Sequence, residues 1–418
     1  MGAQKTILQI DWLSIMLIAL LIGFGWGNIY STTLTSADAN IFDFSAIYGK
    51  QILFIALGFL LVIVITSIEV KFYERFASII YLLAILSLVG VLFFGKTIAG
   101  QTAWYSFGSF SIQPAEFVKA AVALAMAKYL SEIQVSLKLF KYQLKAFFII
   151  AVPVGLIMLQ PDAGSALIYA SFILPMYREG LPHWYLTISI SAAVLFVLTL
   201  KFGVIIVSVI LILILVLAYI LNKNKRKKLW KYLVIGFLGV GFSFSVSYIF
   251  NNVLLPHQQD RFEVLLSDQV DIKGSAFNLY QSQVAIGSGG LTGKGWLKGT
   301  QTQGKFVPEQ HTDYIFSTVG EEWGFLGSSI IIILFAGLIL RLYYLAERQK
   351  SQFNRVFGYS VIGILFFHFF VNIAMVIGLF PTVGIPLPFF SYGGSGLWGF
   401  LILIFIFLKF DAKRSSLN

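Results

Sequence analysis

Long apolar runs alternate with short polar segments along almost the whole chain. Between Asp11 and Lys409 these runs recur at roughly 20 residues each, the length that a helix needs to cross the hydrocarbon core of a bilayer. They are too long for buried strands, so the pattern predicts transmembrane helices rather than barrel strands. The predicted fold is an all-α integral membrane protein, a polytopic bundle with a single domain over residues 1–418. We count about 12 spans, with centres near Ile18, Leu57, Ala84, Ala123, Val152, Tyr169, Ala193, Leu211, Gly239, Ile330, Leu365 and Ile402.

Basic residues set the expected orientation of these helices. They gather in short connections, most densely in residues 223–231. The positive-inside rule places this connection in the cytoplasm, and the alternation of spans places both chain termini there as well. By the same alternation, the segments 96–113, 160–164, 255–312 and 381–392 face outward. Because loops on a rigid scaffold commonly carry function, we expect the active site on this outer side.

Composition narrows the classes of protein that fit. Hydrophobic residues make up 58% of the chain, charged residues only 12%, and the mean hydropathy is +0.84, values that a soluble protein of this size does not need. The net charge of +11 does not indicate nucleic-acid binding, since the basic residues lie between the apolar runs. The first run lacks a cleavage site, so we expect it to be retained and not removed as a signal peptide. The chain has no cysteine, which excludes disulfides and thiolate chemistry, and its four histidines show no metal-ligand spacing.

The strongest catalytic candidate is Asp313, which lies where the long outer loop enters the next span. An ionisable residue at membrane depth usually faces a cavity or a partner, which favours a functional role. The alternative is a helix N-cap, or an acid stabilised by the helix dipole, because Asp313 opens a predicted helix. Both interpretations stay open. Glu309 and His311 belong to the same motif and are candidates for the substrate cavity.

The glycine-rich run at residues 287–295 invites comparison with a phosphate-binding loop. It lacks the first glycine of that motif and has Gly295 where Ser or Thr should follow the lysine, so the match fails. A phosphate-contacting loop and a plain turn remain the alternatives. Lys294, Lys298 and Lys305 nearby could neutralise a lipid diphosphate as point charges, or they could be a solvated loop surface.

Two charged residues fall on one face of a predicted helix that begins after Gln113. Glu116 and Lys119 are three residues apart, so they can form an ion pair. Because an unpaired charge near the membrane is costly, a structural pair is one interpretation and a catalytic role is the other. Trp104, just before this helix, is either an interfacial aromatic or a platform that stacks on a sugar.

Two further outer segments complete the set of candidates. Asp162 lies in a very short turn between two spans, where it could face the same cavity as Asp313 or cap the second helix. Residues 381–396 contain three prolines that break the helical pattern. Irregular backbone of this kind is tolerated at membrane depth only against protein or water, so this segment is expected to line the cavity.

Together these motifs resemble the SEDS family, which serves shape, elongation, division and sporulation. The resemblance covers nearly the full length, and the piece at residues 299–303 is closer to the elongation branch than to the division branch. It rests on residues 113–119, 160–164, 280–296, 308–316 and 381–396.

The resemblance implies a function and a set of partners. It implies a glycosyltransferase that polymerises lipid II on the outer face of the cytoplasmic membrane, together with a class B penicillin-binding protein and elongation proteins such as MreC and MreD. It also implies that Asp313 is the essential carboxylate, that Glu116 and Lys119 form a cavity pair, and that Trp104 loosely matches an outer-loop tryptophan.

The chain departs from the family pattern in one region. The family has about ten spans, whereas this chain has two further apolar runs between Tyr185 and Phe250. An extra helical hairpin preserves the alternation of sides, so Asp313 stays outside. The usual surface for the partner is placed in doubt by the same insertion.

These residues define a mechanistic hypothesis. Asp313 would act as general base toward the acceptor 4-hydroxyl, or orient it through a divalent cation such as Mg²⁺ or Mn²⁺. Lysines of the outer loop, Arg261 and Lys119 would offset the charge of the leaving diphosphate. No organic cofactor is expected. The alternative class is a flippase that moves the same lipid without forming bonds; a non-catalytic scaffold would leave the membrane-level carboxylates unexplained.

Overall fold

The computed structural model describes residues 10–34, 40–98, 100–108, 110–222, 229–253, 259, 262 and 275–415. The chain forms two compact units. The first comprises residues 1–181 and 278–418, and the second comprises residues 182–277.

The first unit contains helices that alternate with short connections. Its first part consists of α1 (Trp12–Thr33), α2 (Ile47–Ser67), α3 (Val70–Phe94), α4 (Pro114–Leu130), α5 (Phe140–Met158), α6 (Ala163–Ile168) and α7 (Ile173–Arg178). The second unit contains α8 (Trp184–Phe202), α9 (Val204–Leu221) and α10 (Leu229–Asn252). The remaining elements are α11 (Ser275–Ser288), α12 (Thr300–Gln303), α13 (Ile315–Glu347), α14 (Gln352–Val376) and α15 (Gly394–Ser415).

Ten helices among the described residues are long and apolar enough to cross a membrane. The predicted spans near Ala123 and Tyr169 fall on shorter elements, the 17-residue α4 and the pair α6–α7. A 3₁₀ turn, Tyr169–Phe172, joins α6 to α7. The chain is therefore a multi-pass helical membrane protein, as the sequence predicts. The ten helices are α1, α2, α3, α5, α8, α9, α10, α13, α14 and α15.

The core of the first unit lies around α4, α14 and α15. Helix α4 packs against α3, α14 and α15, and most of its residues are buried. Pro114 begins this helix, where the missing N–H costs no intrahelical hydrogen bond. Alanines at positions such as 120, 121 and 123 have little side chain, so neighbouring helices can approach closely. Buried polar side chains on these helices consequently face one another and not lipid.

The predicted outer segment between α3 and α4 folds as a small antiparallel sheet. Its strands are β1 (Lys96–Ile98), β2 (Gln101–Phe107) and β3 (Phe110–Ile112), in the order β1-β2-β3. Lys96 pairs with Trp104, and Tyr105 pairs with Ile112. The Tyr105 hydroxyl donates to the Ser87 carbonyl at 3.0 Å, which ties the sheet to α3.

The second unit contains the region in which the sequence predicts an extra hairpin. Three helices lie there, and Gly203 joins α8 to α9 at φ +81°, a conformation that favours glycine. An apolar groove of about 670 Å³ runs between α9 and α10, from Leu229 to Phe244 on the second helix. Its lining is aliphatic and aromatic apart from two glycines, and the rings of Tyr219 and Tyr232 meet edge to face.

The glycine-rich run docks against an interruption in α13. The interruption is Gly324, whose φ of +63° is not helical. The carbonyls of Glu321 and Glu322 accept hydrogen bonds from the N–H groups of Lys294 and Gly295, both at 3.0 Å. Beyond Gly324, the N–H groups of Phe325 and Leu326 donate to the carbonyls of Gly290 and Leu291, at 2.9 and 3.1 Å. Four backbone hydrogen bonds thus replace those that the interrupted helix loses.

Close backbone approach explains the glycines in this run. A Cβ atom on Gly289 would lie 2.0 Å from the Gly320 carbonyl oxygen, and one on Gly293 would lie 2.2 Å from the Glu322 carbonyl oxygen. Packing against α13 therefore requires glycine at both positions, whether or not the loop also contacts a phosphate.

Gly289→Ala should destabilise the fold, because its methyl group collides with backbone that cannot rotate away. We expect a loss of about 1–3 kcal/mol in the free energy of unfolding, measured as a lower unfolding temperature in detergent. Gly287→Ala is the matched control, since a Cβ at Gly287 meets nothing within 4 Å. Equal stability of the two variants would contradict the docking interpretation.

Candidate active site

The segment between α14 and α15 is the structural centre of the candidate site. Residues 381–387 form neither helix nor strand, and Gly384 has φ +71°. Buried backbone of this kind needs hydrogen-bond partners from the protein. Asn372 supplies one, because its Nδ2 donates to the Ile385 carbonyl at 2.7 Å. Ser391 supplies another, because its Oγ accepts from the Leu387 N–H at 2.8 Å.

Asp313 lies against this segment. An atom at the Cβ position of Gly384 would be 3.2 Å from Asp313 Oδ2, so the carboxylate and Gly384 are neighbours. Asn372 Nδ2 also donates to the Asp313 carbonyl at 2.8 Å. The N-cap position of α13 is taken by Tyr314, one residue later, so Asp313 is not the N-cap that one interpretation proposed. Its side chain is half-buried.

The two residues before Asp313 are held in the same way. Ser391 Oγ donates to the Thr312 carbonyl at 2.6 Å, and the Tyr392 N–H donates to the His311 carbonyl at 2.9 Å. Backbone groups of three successive residues are therefore fixed at the position that carries the Asp313 side chain. This is the pattern expected for a positioned functional group.

Asp162 approaches the same segment from another side. Its Oδ1 accepts from the Ser165 N–H at 3.0 Å, so it caps α6, as one alternative proposed. Its Oδ2 accepts from Gln113 Nε2 at 3.0 Å. A Cβ on Gly164 would lie 2.4 Å from the Val383 carbonyl oxygen, which brings the start of α6 directly against the irregular segment.

Glu116 and Lys119 form the ion pair that their spacing predicts. Lys119 Nζ lies 2.9 Å from Glu116 Oε2, and both side chains are almost fully buried. Lys119 Nζ also lies 2.9 Å from His368 Nε2, and the Nδ1 of that ring lies 3.3 Å from the Pro386 carbonyl. The ammonium group stands over the Phe400 ring at 4.9 Å.

Three groups therefore meet one short stretch of backbone. The start of α6 contacts Val383, Asp313 contacts Gly384, and His368 links Pro386 to the buried ion pair. Three of the predicted outer segments, together with α4, converge there. Of the carboxylates in this cluster, Asp313 is half-buried, whereas Asp162 and Glu116 are buried.

The outer-loop lysines divide into two kinds. Lys294 Nζ pairs with Glu321 at 2.8 Å, so it is an anchor for the loop and not a free point charge. Glu321 also accepts from the N–H groups of Gln301 and Thr302, both at 2.8 Å, which satisfies a buried carboxylate. The other two candidates, Lys298 and Lys305, are exposed.

The remaining candidates lie at the edge of the cluster or beyond it. Glu309 is exposed, and His311 is half-buried beside the Tyr392 ring, with centroids 5.7 Å apart. Burial lowers the pKa of the His311 imidazole, an effect that Glu309 opposes. Trp104 is half-buried in β2 and makes no hydrogen bond to Asp313 or Asp162. Arg261 lies outside the described residues.

Sequence reasoning missed His368 and Asn372. Both are polar residues inside a long apolar span and are buried, at 2% and 0% exposure. A polar residue within an apolar span indicates by itself a position that has a polar partner, because an unsatisfied polar group at membrane depth is costly. Their partners could not be deduced, since Lys119 and His368 are 249 positions apart in the chain.

The side chains of the candidate site do not form a complete set of metal ligands by themselves. Among the residues that the structure describes, no group of three or more His, Asp and Glu side chains could hold a metal ion. The chain offers the half-buried Asp313 as one carboxylate. Magnesium commonly binds through one or two carboxylates and completes its shell with water and substrate phosphates.

Comparison with known proteins agrees with this geometry. The profile of the cell cycle protein family of FtsW, RodA and SpoVE matches residues 11–232 and, in a second match, residues 194–416. The chain belongs to the FtsW/RodA/SpoVE family. The two matches overlap over residues 194–232, which include α9 and lie within the region of the predicted extra hairpin.

Individual members of this family are similar over most of their length. The peptidoglycan glycosyltransferase RodA of Treponema pallidum is 30% identical, over 97% of this chain and 98% of its own. The peptidoglycan glycosyltransferase MrdB of Escherichia coli is 34% identical, over 87% and 85%.

Solved structures show the same fold. A chain from a peptidoglycan synthase complex, described as coordinating polymerization and crosslinking, has a TM-score of 0.71 and 25% identity, with 97% and 98% coverage. A mutant of the rod shape determining protein RodA of Thermus thermophilus has a TM-score of 0.62 and 25% identity over the same shares. The family resemblance and the fold class predicted from the sequence are confirmed.

Removing one member of the buried ion pair should be more harmful than removing both. Lys119→Met leaves the Glu116 carboxylate buried without its cation, and Glu116→Gln leaves the ammonium without its anion. We expect each to cost about 3–5 kcal/mol of stability, seen as a lower unfolding temperature. The double variant should lose less stability than either single variant. Strictly additive losses would show that the pair is not coupled.

Proposed function

We propose that this chain is a peptidoglycan glycosyltransferase that polymerises lipid II on the outer face of the cytoplasmic membrane, with both termini in the cytoplasm. The observation that carries the proposal is the placement of Asp313, whose backbone is fixed by Asn372 while its half-buried carboxylate lies beside Gly384. The names of the relatives, peptidoglycan glycosyltransferases RodA and MrdB, support the reaction class. The density of basic residues at 223–231 supports the orientation.

The reaction requires a nucleophile, a base and a stabilised leaving group. The 4-hydroxyl oxygen of the acceptor sugar attacks the anomeric carbon of the donor, and the bond from that carbon to the lipid diphosphate breaks with inversion. Asp313 takes the hydroxyl proton as general base. Lys298 and Lys305, both exposed on the outer loop, are the candidates that offset the charge of the departing diphosphate. Lys119 is buried between Glu116 and His368, so its part is to hold the site's shape.

A divalent cation would fit beside Asp313 as a partner of the diphosphate. The protein supplies one accessible carboxylate there, and the substrate phosphates supply the other hard oxygen ligands that Mg²⁺ or Mn²⁺ prefers. When bound, the ion would neutralise charge on the diphosphate. Asp313 would hold it on the protein side.

The partner that fits is a crosslinking enzyme. The structural relative in the synthase complex is described by its coordination of polymerization and crosslinking, which supports a class B penicillin-binding protein as partner of this chain. Assembly with elongation proteins such as MreC and MreD during shape maintenance belongs to the same proposal.

Asp313→Asn and Asp313→Ala should abolish polymerisation of labelled lipid II by the purified protein and its partner. We expect a loss on the order of 100- to 10,000-fold, the range for removal of a general base. Glu309→Gln is the matched control, because it neutralises an exposed carboxylate four positions earlier in the same motif. All variants must unfold at the temperature of the wild type.

Two outcomes would overturn parts of this proposal. Full activity in both Asp313 variants would remove this residue from the mechanism. If the wild type forms no glycan even with partner and cation, while it moves labelled lipid II across vesicles, the chain is a flippase.

Removing divalent cations should lower the polymerisation rate of the wild type, and adding Mg²⁺ or Mn²⁺ should restore it. Because Asp313 would hold the ion, the residual rate of Asp313→Asn should not respond to added cation. The measurement is glycan formation after chelation, titrated with each metal. A wild-type rate that is unchanged by chelation would leave Asp313 as a general base without a metal.

A further inference from the structure

His368 is the buried residue that joins the ion pair to the irregular segment. Its ring lies within α14 at 2% exposure and packs edge to face on Phe400, with centroids 4.8 Å apart. Each ring nitrogen has one partner. Nε2 lies 2.9 Å from Lys119 Nζ, and Nδ1 lies 3.3 Å from the Pro386 carbonyl oxygen.

The partners determine where the proton of this imidazole lies. The Lys119 ammonium group, paired with Glu116 at 2.9 Å, has only donors to offer. Nε2 must therefore accept, which leaves the single proton of the neutral ring on Nδ1. Nδ1–H then donates to the Pro386 carbonyl. The Pro386 carbonyl lies in non-helical backbone and has no intrahelical partner, so this bond supplies one.

The position of Pro386 matters because of its neighbours. Two residues earlier, Gly384 packs against the Asp313 carboxylate. One turn after His368 on the same face of α14, Asn372 donates to the Ile385 carbonyl at 2.7 Å and to the Asp313 carbonyl at 2.8 Å. Two side chains of α14 thus hold consecutive carbonyls of the segment against which Asp313 rests.

We propose that His368 is a positioning residue for Asp313: its Nδ1–H holds the Pro386 carbonyl and so fixes the backbone at residues 384–386. This inference rests on the proposed function for its effect on catalysis. The competing role is purely structural, in which His368 only provides an acceptor for the buried ammonium of Lys119. The two roles use different ring nitrogens, and substitution can separate them.

The amide of an asparagine or a glutamine at position 368 can take the place of only one of the two ring nitrogens of the histidine. In His368→Asn the shorter amide reaches the place of Nδ1, so the bond to Pro386 can form while Lys119 loses its acceptor. In His368→Gln the longer amide reaches the place of Nε2, so Lys119 keeps an acceptor while the bond to Pro386 is lost. His368→Phe keeps an aromatic ring beside Phe400 and removes both bonds.

The experiment measures polymerisation of lipid II and thermal unfolding for these three variants. If His368 positions Asp313, His368→Gln and His368→Phe lower kcat on the order of 10- to 100-fold, because a small displacement of a catalytic group is costly, and they leave KM nearly unchanged. His368→Asn keeps kcat near the wild-type value although it unfolds at a lower temperature. The opposite ranking, with full kcat in His368→Gln and low kcat in His368→Asn, overturns the proposal.

A second measurement does not depend on activity. Hydrogen exchange of the amides in residues 381–392 should accelerate in His368→Gln and His368→Phe but stay at the wild-type rate in His368→Asn. Unchanged exchange in all three variants overturns the positioning role, even if the protein proves not to be a polymerase. His183→Asn, which changes an exposed histidine in the second unit, is the control for the substitution itself.

Discussion

Backbone that is not helical must find hydrogen-bond partners inside a membrane protein, and the candidate site depends on how residues 381–392 do so. The three prolines prevent a helix there, and polar side chains of α14 and the segment's own Ser391 take over the role of intrahelical bonds. The same side chains bind the backbone carbonyls of residues 312 and 313. One solution to a hydrogen-bonding problem therefore also fixes the backbone that carries Asp313. The cost of leaving any of these carbonyls unpaired gives the arrangement its rigidity.

Buried charged groups, like the irregular backbone, have their partners within the protein, both at the site and elsewhere. Around the site, Glu116, Lys119 and His368 satisfy one another and pass the constraint to Pro386. On other helices, ion pairs join Arg341 of α13 to Asp11, the N-cap of α1, and Arg348 at the end of α13 to Asp411 of α15. Each pair joins helices that are distant in sequence, so they specify which helices meet. We read them as determinants of the arrangement and not as large sources of stability, since desolvation offsets much of their attraction.

The sequence predicts best what a single segment determines. The bilayer sets the length of a span, so the positions of the long helices follow from apolar runs. The capping by Asp162 and the pairing of Glu116 with Lys119 depend on neighbours three positions away, and both could be weighed from spacing. The sheet at β1 to β3 was not predicted, because strands of three to seven residues depend on their cross-strand partners.

Longer-range features escaped prediction for a related reason. The glycine-rich run left a phosphate contact and a plain turn open, and the sequence did not show that Gly289 and Gly293 pack against the backbone of α13 at Gly320 and Glu322. Lys294 was a candidate for diphosphate binding, yet it is committed to Glu321. The residue type shows what chemistry a side chain can perform. It does not show whether the fold already holds that side chain in an ion pair or a hydrogen bond.

The interruption of α13 at Gly324 has a consequence for how the protein is assembled. Among the described residues, backbone groups on both sides of this residue bond to residues 290–295, which precede α13 in the chain. Neither this part of the loop nor the helix is complete without the other, because each supplies the other's hydrogen-bond partners. Docking of residues 290–295 and completion of this span are therefore coupled, so the helix that begins beside Asp313 depends on a loop that precedes it.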